Sequence, residues 1–528
     1  MEQVGIARRD FLKGIAAAAL TAGFIGPSEA KAFIDRDRGD QACNILPKNL
    51  QPFPDIKARR GTENFWNQVH RTFVLPNDYI HMNTGTTGSQ PLFSLINLGV
   101  YNLYKSMDPR DWQTNLNTDF PDLFPFVNNS ALTARQTAVA SQYGANADEI
   151  VLSYNTTDAC NLIFAGTPWN KGDRIICTQW EHAALTGPIA WARDYFGVEV
   201  RIVTLPSNFT KDITVPYVVG LFEAQLQDLP AGNKQYIATS EVFYKNGLRM
   251  PVAEICALAL KYPNTFSIID SAHGWGMLPV NCHKYGADFI AGAGHKWLCG
   301  GPGTGIFYVR NSSGSLPLPP FNGGNWAAYG NLFAGPSSRF VLGTQYNKGN
   351  WSPASLTNRG ETNTPALYAM SDSAAYFNYI GVQDIYSRGV ALGNYLKQKI
   401  AGQWPGSLWV EINNDPLGSF ATALTAFNPF KERELTSSYT AMNNAINGVN
   451  GVGGILNTLA SEDPKIYIRS ITFRDLDGGT TYPAADNRVA LRASTHGVYN
   501  NYQQVDYMFH RLVKAVEAAA AANGLQLL

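Results

Sequence analysis

The sequence predicts an α/β fold, with a mostly parallel central sheet flanked by helices, followed by a smaller α+β C-terminal domain. Short β-rich apolar runs predict the strands of this sheet, and they fall at residues 174–177, 197–203, 235–239 and 266–270. Helical patterns such as the one at 251–261 separate these runs. This alternation is typical of parallel strands covered by helices on both faces.

Three predicted segments follow the first 32 residues. Residues 33–90 form an N-terminal segment, and residues 91–370 form the large α/β domain. A long loop insertion rich in Gly, Asn and aromatic residues interrupts that domain at 321–358. Residues 371–528 form the small α+β domain, which ends in an amphipathic helix at 502–522.

The first 32 residues carry an export motif. Arg8 and Arg9 precede a Phe-Leu-Lys sequence and a short apolar stretch, and small residues suited to cleavage follow at 28–32. This order resembles a twin-arginine signal peptide, and its apolar stretch is too short for an ordinary transmembrane helix. We therefore expect residues 1–32 to be removed, with the twin-arginine export machinery as a partner and a periplasmic or otherwise exported location. The alternative is an N-terminal helix on a protein that stays in the cytoplasm.

The composition favours a small-molecule substrate. The 41 lysines and arginines balance the 41 aspartates and glutamates, so no overall positive charge exists to attract nucleic acid. The six cysteines form no C-x-x-C pair and the eight histidines form no H-E-x-x-H motif. The sequence therefore predicts no metal site.

The sharpest chemical signal is an aspartate, Asp270, followed by a lysine, Lys296. Asp270 ends a predicted buried strand, where α/β sheets face their ligands, and a carboxylate there needs a cation. The protonated ring nitrogen of pyridoxal 5′-phosphate (PLP) is such a cation. Partial burial would lower the pKa of Lys296 and make its amine a nucleophile that holds PLP as a Schiff base. An ordinary surface lysine is the alternative for Lys296 taken alone.

The residues around this pair resemble a known family. Asp-Ser-Ala-His at 270–273, Gly-Ala-Asp-Phe at 286–289 and Gly-His-Lys-Trp-Leu-Cys at 294–299 make the run 270–310 similar to the class V aminotransferases. These are fold-type I PLP enzymes, and the chain is most similar to their isopenicillin N epimerase-like branch. The resemblance implies a large domain that binds PLP and a homodimer.

The same resemblance implies roles around the cofactor. Thr156 and Thr157 match the loop and helix N-terminus that bind its phosphate, with a plain helix cap as the alternative. His182 matches the catalytic-site histidine that stacks on the ring, with a core or surface histidine as the alternative. His273 would reach the phenolic oxygen, and His295 would add a phosphate contact.

Three further residues match substrate and subunit contacts of the family. Asn83 lies in a glycine-rich loop near the substrate, where glycines allow the backbone to approach the ligand. Arg492 would grip the substrate α-carboxylate with its planar guanidinium, and a structural salt bridge is the alternative. Thr362 stands where relatives have a threonine that contacts the phosphate in the partner subunit, but Glu361 interrupts their Gly-Thr pattern.

The resemblance implies an enzyme that forms an external aldimine with an amino acid or amino-acid-derived substrate and cleaves its Cα–H bond. We expect aminotransferase or epimerase chemistry, with a PLP-dependent β-lyase as the alternative. Desulfuration is set aside because residues 475–490 contain no cysteine, whereas the family's desulfurases carry a catalytic cysteine in that interval. The non-enzymatic alternative is an exported binding or maturation protein that retains the fold.

Overall fold

The computed structural model describes residues 56–119, 132–167, 169–311, 357, 362–412, 420–473, 475 and 487–528. The predicted export signal, all but one residue of the predicted loop insertion at 321–358, and Glu361 lie outside these residues.

The strands of the described residues are β1 (Tyr79–His81), β2 (Ile150–Ser153), β3 (Arg174–Thr178), β4 (Glu199–Val203), β5 (Gln235–Ser240), β6 (Thr265–Ser271), β7 (Phe289–Ala293), β8 (Gly305–Val309), β9 (Leu424–Phe427), β10 (Lys465–Tyr467), β11 (Arg469–Phe473) and β12 (Arg488–Ser494). The α-helices are α1 (Glu63–His70), α2 (Leu92–Met107), α3 (Trp112–Asp119), α4 (Leu132–Gln142), α5 (Thr156–Gly166), α6 (Ala183–Phe196), α7 (Val215–Glu223), α8 (Val252–Lys261), α9 (Cys282–Tyr285), α10 (Thr364–Ile380), α11 (Val382–Gln403), α12 (Tyr439–Asn447), α13 (Gly454–Ala460) and α14 (Tyr502–Asn523). Short 3₁₀ helices occur at Ala147–Glu149, Lys431–Glu434 and Thr436–Ser438.

A mostly parallel sheet forms the centre of the large domain, with the strand order β2-β8-β7-β6-β5-β3-β4. Strands β3 to β7 pair in parallel, and β8 runs antiparallel to both of its neighbours. The four strands predicted from the sequence are β3, β4, β5 and β6, and the predicted helices at 251–261 and 502–522 are α8 and α14. The predicted α/β class is confirmed.

Helices cover both faces of this sheet. Successive residues of a strand point to opposite faces, and Ile268 and Ile269 of β6 accordingly belong to two different hydrophobic clusters. The cluster of Ile268 includes residues of α5 and α6, whereas the cluster of Ile269 includes residues of α8 and α10. Burial on both faces explains why the predicted strands inside the sheet are mostly apolar. The edge strand β4 is partly exposed and alternates apolar and polar residues.

The C-terminal region is built on an antiparallel sheet with the order β11-β12-β9. Helices α11 to α14 pack on it around a separate hydrophobic cluster that includes Leu396, Ile446, Leu491 and Leu512. The N-terminal segment joins this region because β1 pairs in parallel with β10. The predicted domain boundary after residue 370 falls inside α10, whose buried residues belong to the cluster of the large domain.

The carboxyl ends of the parallel strands β3, β5 and β6 meet at one edge of the sheet, where α/β folds bind their ligands. The segments that follow these strands carry many of the residues predicted to be functional. Across the described ranges, no helix is both long and apolar enough to cross a membrane.

Candidate active site

A cavity of about 790 Å³ opens at this edge of the sheet. It brings together residues from the large domain, the C-terminal sheet and the loop after β1. Its lining includes Gly85, Thr86, Tyr154, Asn155, Thr156, Thr157, Asp158, Asn161, His182, Ala184, Tyr244, Ala272, His273, His295, Lys296, Arg469 and Arg492. Seven of the residues predicted from the sequence to bind cofactor or substrate therefore share one cavity, and they are Thr156, Thr157, His182, His273, His295, Lys296 and Arg492. The predicted residues Asp270 and Asn83 are not among its lining.

Lys296 lies in the connection between β7 and β8 and is half-buried. Burial lowers the pKa of its amine to about 8; Asp270 opposes this shift, and the charges of Arg492 and Arg469 reinforce it. An amine with this pKa is partly neutral near neutral pH, so it can act both as a nucleophile and as a proton carrier.

The glycine-rich loop at 83–88 packs against the backbone of this lysine. The amide of Gly88 donates a 2.8 Å hydrogen bond to the carbonyl of His295. A Cβ atom at position 88 would lie 2.1 Å from the carbonyl oxygen of Lys296, so only glycine allows this approach. At this position the glycine allows contact with the lysine-bearing segment. Gly85 of the same loop lines the cavity, and the expected approach of the loop to a ligand stays a prediction.

Asp270 is the penultimate residue of β6 and is 3% exposed. Its Oδ1 accepts a 2.9 Å hydrogen bond from the amide of Ala272, which orients the carboxylate. A buried carboxylate near Lys296 can stabilise a cationic ring nitrogen through a charge-assisted hydrogen bond.

A second buried carboxylate, Glu181, was not assigned a role from the sequence. It accepts hydrogen bonds from the amide and hydroxyl of Ser240 at 2.8 and 2.6 Å, and from the Thr178 hydroxyl at 2.7 Å. Burial raises the pKa of Glu181 to about 7, and the charge of Asp270 adds to this shift. Because Glu181 ties the end of β3 to the end of β5, it fixes the turn that carries His182.

His182 caps the N-terminus of α6. Its Nδ1 accepts a 3.0 Å hydrogen bond from the amide of Ala184, and burial lowers the pKa of the imidazole. The ring is therefore neutral at pH 7 with its proton on Nε2. It packs edge-on against Tyr244, with ring centroids 4.9 Å apart and planes at 88°. A neutral ring held in this way is suited to stack on an aromatic ligand.

His273 presents a buried donor at the cavity. Its Nδ1 accepts a 3.0 Å hydrogen bond from the indole nitrogen of Trp297, and burial holds the pKa of the imidazole well below its usual value. The proton of the neutral ring is therefore on Nε2. That atom is buried and has no hydrogen-bond partner among the residues described. Buried donors are nearly always bonded, so this group is available to an acceptor on a ligand.

The N-terminus of α5 supplies an anion site at another part of the cavity. Asn155 is the helix cap, because its Oδ1 accepts a 2.8 Å hydrogen bond from the amide of Asp158. Thr156 and Thr157 are thus not caps, and the buried hydroxyl of Thr156 has no partner within the described residues. His295 lines the same cavity, and burial lowers its pKa, with Lys296 adding to the shift. Helix N-termini with free donors favour phosphate.

Arg492 lies on β12 and is 1% exposed. Among the described residues, its guanidinium donates to neutral acceptors, which are the carbonyl of Tyr244 at 2.9 Å and the side-chain oxygens of Asn83 and Thr86, both at 3.2 Å. Nε of Arg492 and Nδ2 of Asn83 are buried without partners in the described part of the chain. Burial lowers the pKa of Arg492 to about 9, and the neighbouring charge of Arg469 contributes.

Arg492 forms no salt bridge with any of the described residues. A structural salt bridge, which was the alternative role for this arginine, therefore has no acidic partner there. A buried guanidinium without a counter-charge is suited to bind a carboxylate.

Thr362 lies outside the cavity. It is 9% exposed and precedes α10. Its predicted contact is with the phosphate in a partner subunit, and this contact stays a prediction.

Arg469 lines the cavity but was not predicted from the sequence. Its position beside Arg492 depends on the register of β11 against β12, which the sequence alone does not show.

The chain matches a known protein family. A family model described as aminotransferase class-V matches residues 127–422, which is more than half of the chain. The chain belongs to this family. Class-V enzymes of this fold use PLP, and the predicted cofactor is confirmed.

Curated relatives of this class-V protein have different reactions in their names. Hercynylcysteine sulfoxide lyase of Schizosaccharomyces pombe is 24% identical over 48% of this chain and 61% of its own length. A cysteine desulfurase of Klebsiella pneumoniae is 28% identical over 48% of this chain and 58% of its own. Isopenicillin N epimerase of Streptomyces clavuligerus is 24% identical over 46% and 56%. The chain thus matches only about three fifths of the length of these relatives.

The fold of this class-V protein is similar to a solved structure, the apo cysteine desulfurase of Thermococcus onnurineus. The TM-score is 0.62 at 20% identity, and the match covers 88% of this chain and all of the other. The fold-type I architecture predicted from the sequence is confirmed.

The residues that line the cavity, together with the buried Asp270, fit PLP. The orphaned Thr156 hydroxyl and the N-terminus of α5 suit a phosphate, and the orphaned Nε2 of His273 suits a phenolic oxygen. The buried carboxylate of Asp270 suits a ring nitrogen, and the amine of Lys296 suits an aldehyde. Each polar group of the cofactor therefore has a complementary group in this class-V site.

The lowered pKa of Lys296 predicts how PLP binds to the apo-protein. Because only the neutral form of the Lys296 amine is nucleophilic, the rate of PLP association should rise with pH through a midpoint of about 8, rather than near the ordinary lysine value of 10.5. The Arg492→Met variant removes a charge that lowers this pKa, so its midpoint should move to higher pH. Stopped-flow absorbance of cofactor binding measures both midpoints.

Lys284→Met is the control, because this exposed cation lies outside the cavity and its loss should leave the midpoint unchanged. A wild-type midpoint near 10, or a downward shift in Arg492→Met, would show that the site does not set the lysine pKa in this way.

Proposed function

We propose that this protein is an exported PLP-dependent enzyme that removes the Cα proton of an amino acid or amino-acid-derived substrate. The observation that carries the proposal is the buried guanidinium of Arg492, which faces the same cavity as Lys296 and meets only neutral acceptors within the described residues. An α-carboxylate would supply the missing charge.

In this proposal the cofactor would be held by residues in and beside the cavity. Lys296 would bind its aldehyde carbon, and Asp270 would bond its ring nitrogen. His182 would stack on the ring, and His273 would donate from Nε2 to the phenolic oxygen. The phosphate would be bound at the N-terminus of α5 by Thr156, Thr157 and His295.

The bound cofactor supplies an electron sink for the bond pair released at Cα. The chain's own residues supply the positioning and the proton transfer. Arg492 and the amide of Asn83 hold the α-carboxylate, so that the Cα–H bond is fixed relative to Lys296. With a pKa of about 8, the Lys296 amine can accept the Cα proton and return it at neutral pH.

The reaction that follows is aminotransfer or epimerisation in our proposal, in line with the epimerase among the relatives. β-Elimination is the second candidate, since the sulfoxide lyase is an equally similar relative. Desulfuration is disfavoured although desulfurases are among the relatives, because residues 475–490 contain no cysteine to act as the sulfur acceptor. The non-enzymatic alternative is a binding or maturation protein. Such a protein would have no chemical need for Asp270, Lys296 and Arg492 at one site.

Two aspects of the proposal rest on sequence resemblance. The paired arginines Arg8 and Arg9 support export by the twin-arginine route to the periplasm or beyond. This route carries folded proteins, so PLP could be loaded before export. The family resemblance supports a homodimer in which Thr362 of one subunit contacts the phosphate bound by the other.

Incubation of the holoenzyme with an amino-acid panel in deuterium oxide tests the proposed chemistry. We expect exchange at Cα for at least one class of amino acid, and product analysis with and without a keto-acid acceptor then separates the reactions. A requirement for the acceptor identifies transfer, inversion at Cα identifies epimerisation, and release of a side-chain fragment identifies elimination. The absence of exchange over a broad panel would favour the binding protein.

Replacement of Arg8 and Arg9 together by lysine tests export. We expect the holoenzyme to accumulate in the cytoplasm, because the paired arginines are the feature the export machinery reads. The matched control replaces Arg59 and Arg60, an adjacent pair within the mature chain, by lysine and should not change the location. Unchanged export of the first variant would contradict the twin-arginine route.

A further inference from the structure

A second arginine stands beside the proposed α-carboxylate site. Arg469 on β11 and Arg492 on β12 are direct partners in the antiparallel register. Side chains of directly paired residues project from the same face of a sheet, and like charges in this position destabilise the pairing. Both arginines line the cavity. The cost of placing them together indicates that an anion offsets their charges.

One hydroxyl joins the two guanidinium groups. Oγ1 of Thr86 accepts from Nη1 of Arg469 at 3.0 Å and from Nη2 of Arg492 at 3.2 Å, and it donates to Oδ1 of Asn83 at 2.9 Å. A hydroxyl has one proton and two lone pairs, so these three bonds use its full capacity. Thr86 therefore fixes the two cations side by side without contributing any negative charge.

Acidic residues near this pair are engaged elsewhere. Asp475, just beyond β11, bonds the indole of Trp180 at 2.8 Å and forms an ion pair with Arg488 at 3.1 Å. Asp158, the acidic residue of the cavity lining, accepts from the amide of Tyr154 at the N-terminus of α5. Among the described residues, neither Arg469 nor Arg492 has an ion-pair partner.

The two arginines differ in depth. Arg492 is buried, whereas Arg469 is exposed and lies where the cavity meets solvent. The proposed function uses Arg492 for the α-carboxylate and the N-terminus of α5 for the phosphate, so it leaves Arg469 unused. A group bound by Arg469 would therefore belong to the substrate side chain, reaching outward from a carboxylate held by Arg492.

We propose that Arg469 binds a second anionic group, so that the preferred substrate is an α-amino acid with an anionic side chain. This inference rests on the proposed function and adds the substrate class to it. The guanidinium of Arg469 supplies charge-assisted hydrogen bonds to that group, while Thr86 sets its spacing from Arg492. Amino acids with neutral side chains of the same size lack this contact.

Kinetics with matched substrates test the inference. Cα–deuterium exchange would be measured for aspartate, glutamate, cysteate and phosphoserine, which carry carboxylate, sulfonate or phosphate groups, and for asparagine, glutamine and alanine. We expect wild-type kcat/KM to favour at least one anionic class over its neutral counterparts by about ten- to a hundredfold, the contribution of a charge-assisted hydrogen bond. The class with the largest preference identifies the anionic group.

Variants of Arg469 separate side-chain recognition from a structural role. Arg469→Gln removes a charge that also lowers the pKa of Lys296, so it changes kcat/KM for every amino acid to some extent. The loss for the preferred anionic amino acid should exceed the change for its neutral counterparts by about tenfold or more, and Arg469→Lys should restore part of that difference. Lys465→Gln, which removes an exposed cation from the adjacent strand β10, should have no selective effect. Equal wild-type rates for anionic and neutral side chains, or an equal loss for both in Arg469→Gln, would overturn the inference.

A different result is expected if the proposed function itself is wrong. No compound of the panel would then exchange its Cα proton, and the inference would be wrong as well. If this inference alone is wrong, exchange with neutral amino acids persists, and Arg469→Gln changes anionic and neutral amino acids to the same extent.

Discussion

The structure of the site depends on positive charge held at the carboxyl edge of the central sheet. Lys296, Arg469 and Arg492 share one cavity, and burial lowers the pKa values of Lys296 and Arg492. Asp270 is the carboxylate that acts against the shift of Lys296. Such an arrangement costs free energy unless anions complete it. A phosphorylated cofactor and a substrate carboxylate would supply those anions. The same positive charges that destabilise the cavity in the absence of ligands would therefore favour ligand binding.

The loop at 83–88 connects the two parts of the molecule that carry these charges. Its Gly88 lies against the backbone of Lys296 in the large domain, while Asn83 and Thr86 bond Arg492 in the C-terminal sheet. The preceding strand β1 is anchored by its pairing with β10. A segment that looks irregular in sequence therefore sets the position of Arg469 and Arg492 relative to the lysine.

The sequence predicted the parts of this molecule that depend on local pattern. Apolar runs identified β3 to β6, and the aspartate at the end of β6 with the lysine after β7 identified the cofactor. Contacts that depend on strand register or on packing between segments could not be predicted from the sequence. The register of Arg469 opposite Arg492, and the Trp297 bond that places the His273 proton on Nε2, depend on how strands and loops meet in three dimensions. Glu181 escaped notice because its role is to join the ends of β3 and β5, which are paired in space and distant in sequence.

Reduction of the holoenzyme with borohydride, followed by peptide mass spectrometry, shows which lysine carries the cofactor. We expect the cofactor on Lys296 and not on Lys245, a buried lysine next to the cavity residue Tyr244. The Lys296→Arg variant should carry no attached cofactor. Attachment to Lys245 or another lysine, or a protein that incorporates no PLP, would contradict this expectation.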